Sequence, residues 1–143
     1  MIVDSILKEK GTSVATARPE TTVTEVAASL AAKKIGAVVI VGADGRVAGI
    51  LSERDIIRAI AQRGAEALTL AASDIMTRQV TTCTCADTLD HVMVTMTTGR
   101  FRHMPVVENE ALVGIVSIGD VVKLHIAEVE FEATALKNYV VSH

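Results

Sequence analysis

The heptapeptide Gly114-Ile115-Val116-Ser117-Ile118-Gly119-Asp120 has a near copy upstream, Gly49-Ile50-Leu51-Ser52-Glu53-Arg54-Asp55. Each runs glycine, two aliphatics and serine, with an aspartate three residues beyond the serine. Aliphatics leading into Ser-x-x-Asp read as a strand that runs into a helix, with serine at the junction and aspartate in the first turn. The chain around each copy repeats as well, so one small unit is used twice. A unit of that size cannot bury both faces of its own sheet, and the two copies must pack together.

Taken in order, Val3, Ile6, Leu7 and Lys10 fit a short amphipathic helix closed by Gly11. Val14 to Thr16 is extended, and Pro19 stops any helix across it. Thr22 with Glu25 is a capping-box signature, opening a helix whose stripe is Val23, Val26, Ala27 and Leu30 and which ends at Gly36. Ala37 to Val41 is a wholly apolar run, the mark of a strand covered on both faces. A turn at Gly42 to Gly45 leads to the return strand Val47 to Leu51. Ser52 opens a helix closed by Gly64, with Ile56, Ile57, Ile60 and Ala61 facing inward.

The pattern restarts after Ala72. Ser73 to Met76 echoes Asp4 to Leu7, and Val80 to Thr82 echoes Val14 to Thr16. Asp87 to Gly99 is a second helix with Leu89, Val92, Met93 and Met96 on one face. Met104 to Val107 and Leu112 to Val116 form a second hairpin. The expected architecture is α/β (α+β), two β-α-β-β-α repeats related by a pseudo-twofold axis. Its divisions are residues 1–64, a linker 65–72, residues 73–126 and a helical extension 127–143. That last helix is long, from Asp120 to about Val140. Val122, Ile126, Val129, Ala133, Leu136 and Val140 make a heptad seam along it, which suits pairing with a second copy of the chain.

Composition removes several function classes. Aromatics are 2% of the 143 residues and the formal charge is −3. There is no basic run for a nucleic-acid backbone. No apolar run approaches the roughly 20 residues that span a bilayer, and the N-terminus lacks the pattern of a secretory signal. The default expectation is a soluble cytoplasmic protein, off the membrane. Cys83 and Cys85 have no second Cys/His cluster to complete a zinc site, and read as structural thiols. No nucleophile stands in a motif with a base, and no HExxH or GxxxxGK[ST] string occurs. His91, His125 and His143 are scattered. The chain does not read as an enzyme, and no catalytic cofactor is expected.

The two G-h-h-S-x-x-D strings, the β-α-β-β-α repeat and Arg102-His103-Met104-Pro105-Val106-Val107 together resemble a tandem pair of CBS domains, a Bateman module of the stand-alone bacterial type. The resemblance covers about Ile2 to Ile126. It implies a regulatory module that binds an adenosine-containing ligand, such as AMP, ADP, ATP, S-adenosylmethionine or NAD(H), in clefts between the repeats. It further implies a homodimer, a downstream partner protein of unknown identity, and signalling by a change of angle between the halves.

Within that resemblance each residue takes a role. Asp55 and Asp120, with Ser52 and Ser117, would hold the ribose hydroxyls, since a carboxylate offers two acceptors to two neighbouring donors. Arg54, Arg102 and His103 would meet the phosphate. Thr16, Ala37, Val38, Thr82, Met104 and Pro105 would surround the adenine. A second reading of Ser-x-x-Asp stays open, because the same residues make a helix cap. Two further functions also stay open: an NAD(H)-binding redox sensor of the same fold, and a ligand-free dimerisation domain.

Overall fold

The structure, a computed structural model, describes residues 1–142; His143 lies outside the described residues. The first half contains α1 (Val3–Lys10), β1 (Thr16–Ala17), α2 (Val23–Lys33), β2 (Ala37–Val41), β3 (Val47–Ser52) and α3 (Glu53–Arg63). A 3-10 turn, Gly64–Thr69, leads into α4 (Ala72–Ile75), α5 (Leu89–Gly99), β4 (His103–Glu108), β5 (Ala111–Ser117) and α6 (Ile118–Ser142). In the first half β1 pairs parallel to β2, and β2 pairs antiparallel to β3. In the second half β4 and β5 form the matching hairpin. The strand expected at Val80 to Thr82 is reduced to one parallel bridge between Cys83 and Val106. The hairpins repeat in register: Ala37 faces Ser52 as His103 faces Ser117, and each carries an irregularity after the equivalent residue, Ile40 or Val106.

The hydrophobic cores cross the sequence repeats. Val3, Ile6 and Leu7 of α1 pack with Leu89, Val92, Met96, Met104, Val106 and Val116 of the second half. Ala72 and Met76, at α4, pack with Val23, Val26, Leu30, Ile40 and Leu51 of the first. Burying one such aliphatic side chain contributes about 1.5–3 kcal/mol. Each half therefore owes part of its core to the other half's leading helix.

Backbone hydrogen bonds fix this exchange symmetrically. Val3 N donates to Asp87 O at 2.9 Å and Leu89 N to Met1 O at 3.1 Å. In the other half Ala72 N donates to Thr21 O at 2.7 Å and Val23 N to Leu70 O at 2.9 Å. The four bonds supply partners for amides at helix starts, which have none within their own helix.

Several local expectations need correction. α2 ends at Lys33, before Gly36, while α5 ends at Gly99 as expected; the residues that follow, Lys34 and Arg100, are both left-handed with φ 54° and 58°. Gly36 lies beyond the end of α2, where β2 begins. On α3 the inward face is Asp55, Ile56 and Ala59, while Ile57 is 66% exposed and Ile60 and Ala61 also face out. The pattern Ile56-Ile57…Ile60-Ala61 offers two overlapping apolar stripes, and the buried carboxylate of Asp55 selects the other one. α6 begins at Ile118, and after Val121 its sides are largely open.

Two glycines of the repeated string mark close approaches. A Cβ at Gly49 would stand 2.6 Å from Met76 Sδ and 2.8 Å from the Thr77 carbonyl oxygen. A Cβ at Gly114 would meet only the Leu7 side chain, at 2.7 Å from Cδ2. A side-chain end can turn aside where a backbone carbonyl cannot. Gly49→Ala should cost about 1–3 kcal/mol, the usual range for overpacking, and Gly114→Ala clearly less. Urea unfolding of the two variants measures the difference.

Candidate functional site

Where β3 runs into α3, Ser52 caps the helix. Asp55 N donates to Ser52 Oγ at 3.3 Å, and Asp55 Oδ2 accepts from Ser52 N at 2.9 Å and from Ser52 Oγ at 3.1 Å. The residue is 9% exposed. Among the described residues its other oxygen, Oδ1, meets only Arg58 Nη1, at 3.5 Å. Asp55 lines a cleft of about 440 Å³ together with Ser52, Glu53, Arg54 and Arg58. The facing wall comes from the other half: Thr77, Gln79, Val80 and Thr81, then Gly99 to His103. Arg54, Arg100 and Arg102 have no carboxylate partner among the described residues. With Arg58 they put four guanidinium groups around two acidic side chains, so the cleft is a positive hollow with one buried carboxylate in its wall.

The matching cleft on the other side of the pseudo-twofold axis holds about 480 Å³. Ser13, Val14, Ala15, Lys33, Lys34, Ile35, Ala37, Ile115 and Ser117 line it, and Gly36 and His103 border both clefts. Here α6 repeats the cap, with Asp120 N donating to Ser117 Oγ at 3.1 Å and Ser117 N donating to Asp120 Oδ2 at 2.9 Å. The surroundings differ. Lys10 Nζ sits 2.7 Å from Asp120 Oδ2 and donates to the Ile115 carbonyl at 3.1 Å. Burial works against ionisation of Asp120, yet the Lys10 ammonium and the Ser117 amide outweigh it and hold the carboxyl below its ordinary range.

Ser52, Arg54, Asp55, Arg102 and His103 thus share the first cleft. Ala37, Ser117 and His103 share the second, and Asp120 stands behind Lys10. The expected adenine set does not converge. Thr16 and Val38 line a separate groove of about 620 Å³ against α2. Thr82 is exposed and Pro105 buried, Met104 is 1% exposed, and all three line neither cleft. The chain meets the clefts one residue earlier, at Thr81 and Ala15. Arg58, Arg100 and Lys10 are additions that sequence reading passed over. Arg100 reads as a surface charge until its left-handed backbone turns the chain at the cleft edge.

His103 is the shared wall. Its ring lies against Gly36, where an added Cβ would stand 3.3 Å from Cε1 and Nε2. Burial disfavours the imidazolium and lowers the pKa below its ordinary 6.5; Lys10 and Arg102 act in the same direction, while Glu53 and Asp120 oppose them without reversing the shift. Cys83 is a core residue whose thiol burial pushes up to about 12, with Asp87 and Cys85 adding to the rise. Cys83 and Cys85 are both free thiols.

Comparison with known proteins places this geometry. The family model of the CBS domain matches residues 9–62 and again 72–126. A CBS-domain protein from Agrobacterium tumefaciens is 49% identical, with a TM-score of 0.83 over 85% of this chain and 91% of that one. The CBS domain pair of protein MJ0100, crystallised with 5-methylthioadenosine and S-adenosyl-L-methionine, is 29% identical, with a TM-score of 0.79 over 90% and 98% of the two chains. A CBS domain protein from Pyrobaculum aerophilum, complexed with AMP, is 31% identical, with a TM-score of 0.75 over 84% and 89%. No helix among the described residues is long and apolar enough to cross a membrane.

The lowered His103 pKa makes a stability prediction. The unfolded chain takes up the proton first, near pH 6.5, so the native advantage of neutral His103 is fully present above that value. It is lost as pH falls through it toward the lower folded pKa. Melting curves from neutral to mildly acidic pH should therefore fall less steeply for His103→Gln than for the wild type.

Proposed function

The chain belongs to the CBS-domain family, with two of its domains in tandem, and on that premise we propose that it is a regulatory module binding an adenosine nucleotide of the AMP type between its repeats. One observation carries the reading. The nearly buried Asp55 carboxylate spends one oxygen on its helix cap and turns the other toward only an exposed arginine, at the edge of a cleft ringed by guanidinium groups. A ribose diol can take that oxygen from Arg58, which is then free to join Arg54, Arg100 and Arg102 around a phosphate. Ile50, Val80 and Phe101 supply apolar surface for a flat base. The volume falls in the range of about 300–1,000 Å³ usual for small-molecule pockets. Two related CBS proteins crystallised with adenosine compounds support the same class of ligand.

Because both halves line the cleft, a ligand that binds one relative angle better shifts the population toward it. The work of the site is recognition, and its output is a surface for a partner protein. A second reading rests on the wall shared by the two clefts. Gly36 and His103 border both, so the two halves of NAD(H) could lie on either side of it.

Dimerisation completes the proposal. Along α6 the apolar residues Val122, Ile126, Val129, Leu136 and Val140 are 40%, 50%, 49%, 65% and 64% exposed. Ile57 and Ile60 of α3 are also uncovered. Stripes of this extent on one chain mark a surface for association, and a second copy supplies the same stripes in return.

Two experiments test these statements. AMP should raise the melting temperature, by mass action on the native state, and should do so more than S-adenosylmethionine or NADH. Asp55→Asn keeps an acceptor for the cap but loses the charge. A charge-assisted bond contributes about 1.5–3 kcal/mol, so AMP affinity should fall at least tenfold with the fold intact. No shift with any adenosine compound overturns the ligand reading. Ile126→Glu with Val129→Glu should convert a dimer to a monomer in light scattering, and an unchanged mass overturns the interface.

A further inference from the structure

The two clefts are copies, yet only one presents its carboxylate. Ser52, Glu53, Arg54 and Asp55 all line the first cleft, whereas of the matching string only Ile115 and Ser117 line the second. In the second cleft Lys10 occupies the surface where the aspartate would be expected. We propose that Lys10 is a built-in occupant of the Asp120 cleft, which withholds that carboxylate from a ribose and limits the chain to one nucleotide, in the Asp55 cleft. This rests on the ligand reading above and adds what that reading leaves open, which cleft is used.

The cause is a difference of one helical turn. α1 has eight residues and α4 four. After α4 the chain straightens at once, and Thr77 exchanges two backbone bonds with Ile50, Ile50 N to Thr77 O at 3.0 Å and Thr77 N to Ile50 O at 2.9 Å. After the matching point in α1 the helix continues, and among the described residues no backbone bond joins that segment to Ile115. The Lys10 ammonium takes over instead, donating to the Ile115 carbonyl at 3.1 Å and to Asp120 Oδ2 at 2.7 Å. The lysine is thereby tied at two points, and its side chain is only 34% exposed. The corresponding partner of Asp55 is different in kind. Arg58 comes from the same helix, touches Oδ1 at 3.5 Å and is 66% exposed. An arginine held that loosely gives way to a ligand, whereas an ammonium bound at 2.7 Å and to a carbonyl competes with it. Once Lys10 is shortened in charge, Lys33 and Lys34 remain at the same cleft to meet a phosphate.

The test is the number of AMP molecules bound per chain, measured by isothermal titration calorimetry on the full chain. The wild type and Lys10→Arg should bind one. Lys10→Met, which keeps the stem and the helix propensity, should bind two, and adding Asp120→Asn to it should bring the number back to one. Two AMP per wild-type chain, or one per Lys10→Met chain, overturns the proposal. A second readout needs no ligand. The Asp120 carboxyl, followed by NMR, should titrate below the ordinary carboxylate range in the wild type and move up in Lys10→Met; an unmoved titration also overturns it. Absence of AMP binding in every variant, with the Asp120 shift present, sinks the ligand reading and leaves the ion pair standing.

Discussion

The reciprocal docking of α1 and α4 is the constraint on which the rest of the molecule depends. Neither half closes its own core. Val3, Ile6 and Leu7 are buried by residues that follow Cys83, and Met76 is buried by residues that precede Ile56. The two halves are therefore held in a fixed face-to-face arrangement by burial and not only by a linker. The strand-to-helix junctions then face the opposite half across a gap. Each cleft is made from the junction of one repeat and from the chain that follows the leading helix of the other, at Thr77 to Thr81 or Ser13 to Ala15. A site shared in this way changes shape with the angle between the halves.

Symmetry sets the frame and small departures from it set the chemistry. The hairpins share one pairing register as far as the irregularity near their far ends, beyond which the second adds the pair Glu108–Ala111. The carbonyls of Gly36 and Arg102 even accept equivalent amides, from Glu53 at 2.9 Å and Ile118 at 2.8 Å. On that shared backbone, Gly36 leaves room exactly where His103 needs it, so one imidazole can border both clefts. Guanidinium groups crowd the first cleft and ammonium groups the second. Arginine offers a planar fork to phosphate or carboxylate, and lysine a compact charge. A duplicated fold has thus been given two unlike hollows by changes at a few positions and by one extra turn of helix.

Much of this was open to a reader of the sequence, for reasons that are local. Thr22 with Glu25 and Ser52 with Asp55 do form the capping boxes their spacing implies, because a cap needs only residues three apart. The hairpins followed from apolar runs bounded by turn residues. The apolar residues Val122, Ile126, Val129, Leu136 and Val140 of α6 are exposed, on a stripe that the contacts of α6 with its own chain leave uncovered. What stayed hidden depends on contacts between distant residues. The exchange of leading helices cannot be seen in a repeat, since a helix packed on its own unit has the same stripe. Lys10 looks like the polar end of an amphipathic helix until Asp120 is brought to it. Thr82 turns to solvent, and Met104 and Pro105 turn to the core, which a motif read in register does not reveal.

The choice between cap and ligand site, left open by spacing, loses its force when the oxygens are counted one at a time. A cap uses one acceptor. Serine or threonine at the fourth position would have only that one to give, whereas a carboxylate has two. At Asp55 the division is visible: Oδ2 accepts both bonds from Ser52, and Oδ1 meets a loosely held arginine. The cap fixes the carboxylate in place, and on the proposed function a carboxylate fixed in advance would meet its ligand without losing side-chain freedom. At Asp120 the cap bond and the 2.7 Å ion pair converge on Oδ2, and it is Lys10, not the carboxylate, that lines the second cleft. The same four-residue signature therefore caps a helix in both halves, with its carboxylate lining a cleft in one and paired with a lysine in the other. The neighbour delivered by the opposite repeat decides between them.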